Sequence, residues 1–171
     1  TKILLGNSAN PTNNHLEALN YLLSVSKEFD KCYIPMSYGG TKEYVESVKL
    51  KMPSKIVTKT SLLLEFLPKE SYHNLINDCD VFIMNHRRQQ ALGNILAGFV
   101  RGKTIYLNPK GVLWEYFTKL GFAVKSITCI GRDGIQKITI EQAIQNQKIV
   151  LREWALSPLE TSNHLHRLLR K

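Results

Sequence analysis

The stretch Lys2-Ile3-Leu4-Leu5-Gly6-Asn7-Ser8-Ala9-Asn10-Pro11-Thr12-Asn13-Asn14-His15 decides the fold of this chain. It begins with a short apolar run, typical of a buried strand, which stops at Gly6. A small and polar loop follows and leads into a helical pattern with apolar residues on one face, namely Leu16, Leu19 and Leu23. A strand, a polar loop and a helix in this order predict the first unit of an α/β domain.

The loop over residues 6–15 has the chemistry of an anion site. Asn14 is placed to cap the following helix, and Glu17 three residues later completes a pattern like a capping box. The free N–H groups and the positive dipole end of a helix start attract phosphate. The loop contains neither GxGxxG nor GxxxxGK[ST], so it is neither a standard dinucleotide fingerprint nor a P-loop. An ordinary polar turn is the alternative interpretation.

The rest of the chain repeats the alternation of strand and helix. We expect further strands at residues 31–36, 54–58, 80–84, 103–108 and 123–127. Residues 62–67 fit a helix or a strand, and the sequence predicts helices after Thr41, Pro68 and Gly111, at residues 91–100, after Thr139 and from Ser157. This order predicts one domain of the α/β class, with a doubly wound parallel sheet and right-handed crossovers.

A second polar loop, His86-Arg87-Arg88-Gln89-Gln90, follows the most apolar of these strands. Ligands of such sheets bind beyond the carboxyl ends of the strands, so we expect residues 6–15 and 85–94 to face each other across one crevice. An arginine fork suits phosphate oxygens, and Gln89 and Gln90 could contact sugar hydroxyls. Two arginines before a helix start are unfavourable without an anion, although a solvated helix start is the alternative.

Composition narrows the function classes. The chain has 171 residues and a net charge of +9, which favours an anionic partner such as a nucleotide, a nucleic acid or an acidic lipid. Residues 164–171 form a basic amphipathic pattern that suits either a membrane surface or a packed terminal helix. No apolar run is long enough to span a bilayer. Neither a Ser/His/Asp pattern nor metal-ligand spacing is present, and Asp78-Cys79-Asp80 enters a strand at the wrong edge for a metal site.

Four stretches together resemble a known family. They are Leu5-Gly6-Asn7-Ser8-Ala9-Asn10-Pro11-Thr12-Asn13-Asn14-His15-Leu16-Glu17, similar to LGNS-x-x-P-[ST]-NNHIE; Pro35-Met36-Ser37-Tyr38-Gly39 with Tyr44-Val45; Glu65-Phe66-Leu67-Pro68 with Tyr72; and Arg88-Gln89-Gln90-Ala91-Leu92-Gly93, similar to RQQ-x-x-G. The family is that of the bacterial 4-α-L-fucosyltransferases, which include the TDP-4-acetamido-4,6-dideoxygalactose:lipid II transferases. The resemblance covers about the first 110 residues and thins to generic pattern beyond them.

The resemblance implies a GT-B architecture of two Rossmann-like domains, of which residues 1–171 look like the C-terminal, donor-binding half. Because the chain begins at Thr1 where a strand begins, we expect an excised domain without its N-terminal acceptor domain. The implied reaction is metal-independent transfer of a fucose-like deoxysugar, expected to be dTDP-linked, to a lipid-linked saccharide. The implied location is cytoplasmic, peripheral on the inner face of the bacterial inner membrane. No cofactor and no nucleic-acid partner is expected.

The resemblance and the two loops together give the expected site residues. Arg88 and His15 are the expected catalytic residues, with Arg88, Arg87 and the N–H groups after Gly6 stabilising the departing diphosphate. The expected donor-binding residues are Gly6, Asn7, Ser8, Asn13, Asn14, Ser37, Tyr38, Glu65, Leu67, Arg87, Gln89, Gln90, Gly93 and Asn94. No metal ligand and no general base is assigned.

Other functions fit parts of the sequence. A sugar-nucleotide enzyme of another kind, such as an epimerase-like domain, would share the fold and bind its nucleotide by a different set of loops. A non-catalytic module that binds membrane or nucleic acid would account for the net charge of +9, although the basic residues are scattered and no nucleic-acid motif is present. An isolated half that binds donor without turnover is a third possibility.

Overall fold

A parallel sheet with the strand order β3-β2-β1-β4-β5-β6 organises the protein, and the computed structural model describes residues 1–154 of it. The strands are β1 (Lys2–Leu5), β2 (Lys31–Pro35), β3 (Thr60–Leu63), β4 (Val81–Met84), β5 (Thr104–Leu107) and β6 (Lys125–Ser126). Each neighbouring pair runs parallel. The prediction of a doubly wound parallel α/β sheet is confirmed.

Helices connect the strands and cover both faces of the sheet. They are α1 (His15–Ser24), α2 (Lys42–Lys51), α3 (Ser54–Val57), α4 (Lys69–Asp78), α5 (Leu92–Val100), α6 (Val112–Lys119), α7 (Ile130–Asp133) and α8 (Ile140–Trp154), with 3-10 turns at Pro11–Asn13 and Ile127–Cys129. Among these described helices, none has both the length and the apolar character needed to cross a membrane. The helix predicted from Ser157 and the basic pattern at residues 164–171 lie outside the described residues.

Each inner strand supplies side chains to a core on both faces. In β1, Ile3 and Leu5 join the core that contains Leu19 of α1, whereas Leu4 joins the core that contains Phe99 of α5. All of these side chains are fully buried, and burying one Leu, Ile or Phe contributes about 1.5–3 kcal/mol. Burial on both faces explains why the strand sequence is continuously apolar rather than alternating.

The prediction of a strand at residues 54–58 is wrong. This segment forms α3, and the strand comes later as β3. Pro53 stands at the helix N-cap, and Ile56 turns its side chain into the core from one turn of helix. A short apolar run cannot be assigned to helix or strand by its period alone, which is the physical reason for the error. The ambiguous residues 62–67 begin as strand and continue without regular structure after Leu63.

The predicted cap of α1 is also wrong. Asn14 does stand before the helix, but its backbone is left-handed with φ 50°, and its side chain makes no capping hydrogen bond. Its amide instead donates to the carbonyl oxygen of Asn85 at 2.8 Å. Glu17 accepts from the Asn85 amide at 3.0 Å rather than from the helix start. By contrast, the predicted cap of α2 is confirmed, because Thr41 Oγ1 accepts from a helix N–H at 3.2 Å.

Two predictions near the C-terminal part need smaller corrections. The sixth strand was expected over residues 123–127 and is limited to β6, Lys125–Ser126. The turn expected at Arg132-Asp133-Gly134 is the end of α7, and Gly134 stops that helix with φ 75°. Neither change alters the order of the sheet.

Candidate functional site

The direction of winding reverses between β1 and β4, which are neighbours in the sheet. From β1 the chain continues to β2 and β3 on one side, and β4 is followed by β5 and β6 on the other. Ligands of doubly wound sheets bind at this reversal point, outside the carboxyl ends of the strands. The loops that leave β1 and β4, residues 6–14 and 85–91, lie side by side there and are joined by hydrogen bonds.

Asn13 holds the first loop and ties it to the second. Its side chain is fully buried, and its Nδ2 donates to the carbonyl oxygens of Ser8 and Asn10, both at 3.0 Å. Its Oδ1 accepts from the Asn7 N–H at 3.1 Å and lies 2.9 Å from His86 Nε2. Because the two carbonyls fix the orientation of this amide, the oxygen must face the imidazole, and His86 Nε2 must carry the proton.

The buried histidines His15 and His86 stand beneath these loops. His15 is 0% exposed and His86 is 2% exposed, and His15 Nδ1 lies 3.0 Å from the Tyr44 hydroxyl. Burial lowers the pKa of each imidazole to about 4, helped by His86 for His15 and by Arg88 for His86. Both rings are therefore neutral at pH 7. His15 was expected to be catalytic, and the structure places its ring fully buried beneath the loops, next to Tyr44.

The adjacent arginines Arg87 and Arg88 differ in their partners. Arg87 NH2 lies 3.8 Å from Glu17 Oε1, so a carboxylate compensates its charge. Arg88 is exposed, and its Nε donates to the neutral Gln90 Oε1 at 3.3 Å. Within residues 1–154 no carboxylate forms an ion pair with Arg88. Arg88 is thus the arginine of this loop whose charge is available to an anion.

A chain of side-chain hydrogen bonds runs from Arg88 towards the other half of the sheet. Gln90 Nε2 donates to Asn7 Oδ1 at 2.9 Å, and Asn7 Nδ2 donates to the Tyr38 hydroxyl at 3.1 Å. The Tyr38 ring stacks on Phe66, with centroids 5.6 Å apart and an angle of 16° between planes. This chain links groups that follow β4, β1, β2 and β3.

A cavity of about 290 Å³ opens beside this chain. Its lining includes six of the expected donor-binding residues, namely Asn7, Ser37, Tyr38, Glu65, Leu67 and Asn94, and also Pro35, Leu63, Phe66, Lys69 and Tyr72. Asn94 Nδ2 donates to the Tyr72 hydroxyl at 2.9 Å. An aromatic wall combined with a few donors and acceptors suits a flat heterocycle.

The sequence prediction missed several of these lining residues. Phe66 is 73% exposed, and its position between the predicted Glu65 and Leu67 is the signal in the sequence that could have identified it. Tyr72 was expected to face inward from α4, and it packs against the hydrophobic core while also lining the cavity. The sequence gives no indication that Lys69 belongs to the site, since an exposed lysine at a helix start is common.

The remaining expected residues lie around the cavity rather than in it. Gly6, Ser8 and Asn13 are buried within the first loop, and Asn14 is half-buried between the loops. Gly93 is exposed at the start of α5. Gln89 lines a separate apolar cavity of about 280 Å³ with Leu92, Val112, Leu113 and Tyr116. Among the described residues, no group of three or more His, Cys, Asp or Glu side chains could hold a metal ion.

Comparison with known families agrees with this geometry. The model of the family described as 4-alpha-L-fucosyltransferase glycosyl transferase group 56 matches residues 1–150. The chain belongs to this family. The resemblance found in the sequence motifs is therefore confirmed, and the family is one of glycosyltransferases.

Solved structures share the fold at low sequence identity. The C-terminal domain of the glycosyl transferase group 1 family protein LpcC from Francisella tularensis has a TM-score of 0.64 at 12% identity, over 91% of this chain and 87% of that one. AviGT4, a glycosyltransferase involved in avilamycin A biosynthesis, has a TM-score of 0.61 at 11% identity, over 90% of this chain and 46% of that one. OtsA has a TM-score of 0.66 at 8% identity, over 89% of this chain and 40% of that one.

These likenesses show the fold of one half of a GT-B glycosyltransferase. The chain spans less than half the length of OtsA and of AviGT4. It matches nearly the whole of the LpcC C-terminal domain.

Proposed function

We propose that this chain is the donor-binding half of a glycosyltransferase that transfers a fucose-like deoxysugar from a nucleoside diphosphate, expected to be dTDP, to a lipid-linked saccharide. The observation that carries the proposal is the cavity of about 290 Å³ at the reversal point, joined through Asn7 and Gln90 to Arg88. The family description supports the class of sugar, and the sequence resemblance supports dTDP.

The nucleobase occupies the cavity in this proposal. The stacked rings of Tyr38 and Phe66 give it an aromatic wall, while Glu65 and Lys69 in the lining offer an acceptor and a donor. The diphosphate then lies towards the loop that carries Arg88. A charged group next to a flat apolar cavity matches the amphipathic shape of a nucleoside diphosphate.

The chemistry follows from charge. Glycosyl transfer passes through an oxocarbenium-like state while a diphosphate departs with increasing negative charge. In this proposal Arg88 stabilises that charge, and the lack of a carboxylate partner for its guanidinium within residues 1–154 supports this role. Arg87 is a weaker candidate for this role, since Glu17 already compensates it. The neutral imidazole of His86 bonds to Asn13 and helps to hold it in place without adding charge to the site.

The acceptor side of the proposal rests on the family resemblance. A lipid-linked saccharide would be held by a second domain that faces the donor site, with the protein peripheral on the cytoplasmic face of the bacterial inner membrane. The net charge of +9 supports contact with an anionic membrane surface. No cofactor and no nucleic-acid partner takes part in the proposed reaction.

Calorimetric titration of the protein with dTDP, UDP and GDP tests the donor site. We expect dTDP to bind most tightly, in the micromolar to millimolar range. Arg88→Ala should weaken this affinity by roughly 10- to 100-fold, because hydrogen bonds to charged groups contribute about 1.5–3 kcal/mol. Thermal unfolding should be unchanged in Arg88→Ala, since Arg88 is exposed.

Arg101→Ala is the matched control. It removes the same charge from the other end of α5, where the Arg101 side chain bonds to Asn77 and to a helix carbonyl. We expect Arg101→Ala to leave the dTDP affinity unchanged. Equal affinities of Arg88→Ala and the wild type would overturn the role of Arg88. Salt-dependent binding to oligonucleotides without any nucleotide binding would overturn the proposed function.

A further inference from the structure

Gln90 occupies a central place between the groups assigned to the base and to the diphosphate. Its Oε1 accepts from Thr12 Oγ1 at 2.6 Å and from Arg88 Nε at 3.3 Å. Its Nε2 donates to Asn7 Oδ1 at 2.9 Å. We propose that Gln90 is a positioning residue that couples Arg88 to Tyr38, so that the diphosphate and base parts of the site are held as one unit.

The orientation of each amide in this chain is determined by its neighbours. Arg88 Nε can only donate, so the Gln90 oxygen must face Arg88 and the Gln90 NH₂ group must face Asn7. The Asn7 oxygen accepts that bond, which turns the Asn7 NH₂ group towards the Tyr38 hydroxyl. Tyr38 thus accepts from Asn7 and keeps its own proton free for a ligand in the cavity.

Loss of the Gln90 amide therefore acts at a distance. Without its NH₂ group, Tyr38 is the one remaining partner of the Asn7 side-chain amide within residues 1–154, and the contact from Asn7 to Tyr38 loses its preferred direction. Gln90 itself does not line the cavity, and its oxygen already accepts two hydrogen bonds. The expectation from sequence was that Gln90 contacts the donor directly, and the hydrogen bonds favour an indirect action through Tyr38.

A double-mutant cycle tests the coupling. Gln90→Ala removes the amide, and Tyr38→Phe removes the hydroxyl while keeping the ring stacked on Phe66. The binding measurement is calorimetry on the full chain, with whichever of dTDP, UDP and GDP binds the wild type most tightly. This measurement rests on the proposed function. We expect each single variant to weaken binding by roughly 3- to 10-fold, as for loss of one hydrogen bond.

The coupling itself is read from the double variant. If Gln90 acts through Tyr38, the double variant should bind the nucleotide almost as well as the single variant with the lower affinity. The difference between these two affinities should be no more than about 2-fold. Tyr72→Phe is the matched control, because Tyr72 lines the same cavity but bonds to Asn94 instead. Gln90→Ala and Tyr72→Phe should multiply their effects. A Gln90→Ala and Tyr38→Phe double variant whose loss equals the product of the single losses would overturn the proposal.

A second experiment, urea unfolding, tests the coupling without a ligand. The same four proteins are unfolded with urea, and the cycle is evaluated on the midpoints in the absence of nucleotide. Non-additive effects of Gln90→Ala and Tyr38→Phe support the coupling, and additive effects refute it. If the wild type binds none of the three nucleotides, the proposed function fails, and the unfolding cycle still decides whether Gln90 positions Tyr38.

Discussion

Replacing Gly6 by alanine should destabilise the protein through two separate effects. Gly6 has a φ of 69°, in the left-handed region where a side chain costs about 1–2 kcal/mol. A Cβ atom there would lie 2.7 Å from Asn13 Oδ1 and 3.0 Å from His15 Nε2. Both of those side chains are fully buried and cannot move aside without disturbing the first loop.

The two effects can be added to give an expected magnitude. Overpacking a tightly filled site costs about 1–3 kcal/mol. Together with the backbone cost, the free energy of unfolding of Gly6→Ala should fall by roughly 2–5 kcal/mol. For a chain of this size, that loss lowers the melting temperature by roughly 4–20 °C.

Urea unfolding followed by circular dichroism measures this loss, and Gly93→Ala provides the control. Gly93 lies in α5, its φ is not positive, and no atom comes within 4 Å of an added Cβ. Alanine is the better helix former, so Gly93→Ala should stabilise the protein by up to about 1 kcal/mol. If Gly6→Ala unfolded within about 0.5 kcal/mol of the wild type, the close approach beneath the glycine turn would be refuted.

Two further predictions concern buried polar groups. His15 and His86 each have a pKa of about 4 in the folded protein and about 6.5 in the unfolded chain. Because the unfolded chain takes up protons first, the free energy of unfolding should fall as the pH drops from about 6.5 to about 4. The expected fall is roughly 3 kcal/mol for each ring. Urea midpoints measured at a series of pH values should show this fall, and His86→Gln should show a smaller fall than the wild type. An equal dependence on pH in the two proteins would contradict the prediction. Asn146→Leu should cost about 2–3 kcal/mol in thermal unfolding, because the buried Asn146 side chain pairs with both the N–H and the C=O of Ala123. Asn20→Leu on the exposed side of α1 should change stability by less than about 0.5 kcal/mol, and an equal loss in both variants would show that the pairing with Ala123 has no special weight.

The sequence predicted the sheet well because its signals are local. Apolar runs such as residues 81–84 are bounded by polar or glycine residues, and the alternation with helices leaves few possible topologies. The strand expected at residues 54–58 failed because a run of this length fits one turn of helix equally well. Only tertiary contact of Ile56 with the core decides between them.

The candidate site was predicted less completely than the fold. The sequence correctly predicted that the loops after β1 and β4 lie together, because both loops leave adjacent strands at the same edge of the sheet. Spacing could not show that Asn14 and Glu17 bond across to Asn85 instead of capping α1. It also could not show that His15 is enclosed, since burial of a polar ring depends on the neighbouring loop.

The order of the strands separates the residues that hold the site in shape from those that border its cavity. The buried amide and imidazole groups come from the loops after β1 and β4, in the middle of the sheet. Much of the cavity wall, including Ser37, Tyr38 and Glu65, comes from the segments after β2 and β3, and β3 is an edge strand. Except at Tyr38, whose hydroxyl accepts from Asn7, side-chain substitutions in these outer segments can alter the ligand preference while the central loops keep their hydrogen bonds. Selection for a new nucleotide would therefore act on the periphery of the sheet, and the cost in folding would be small.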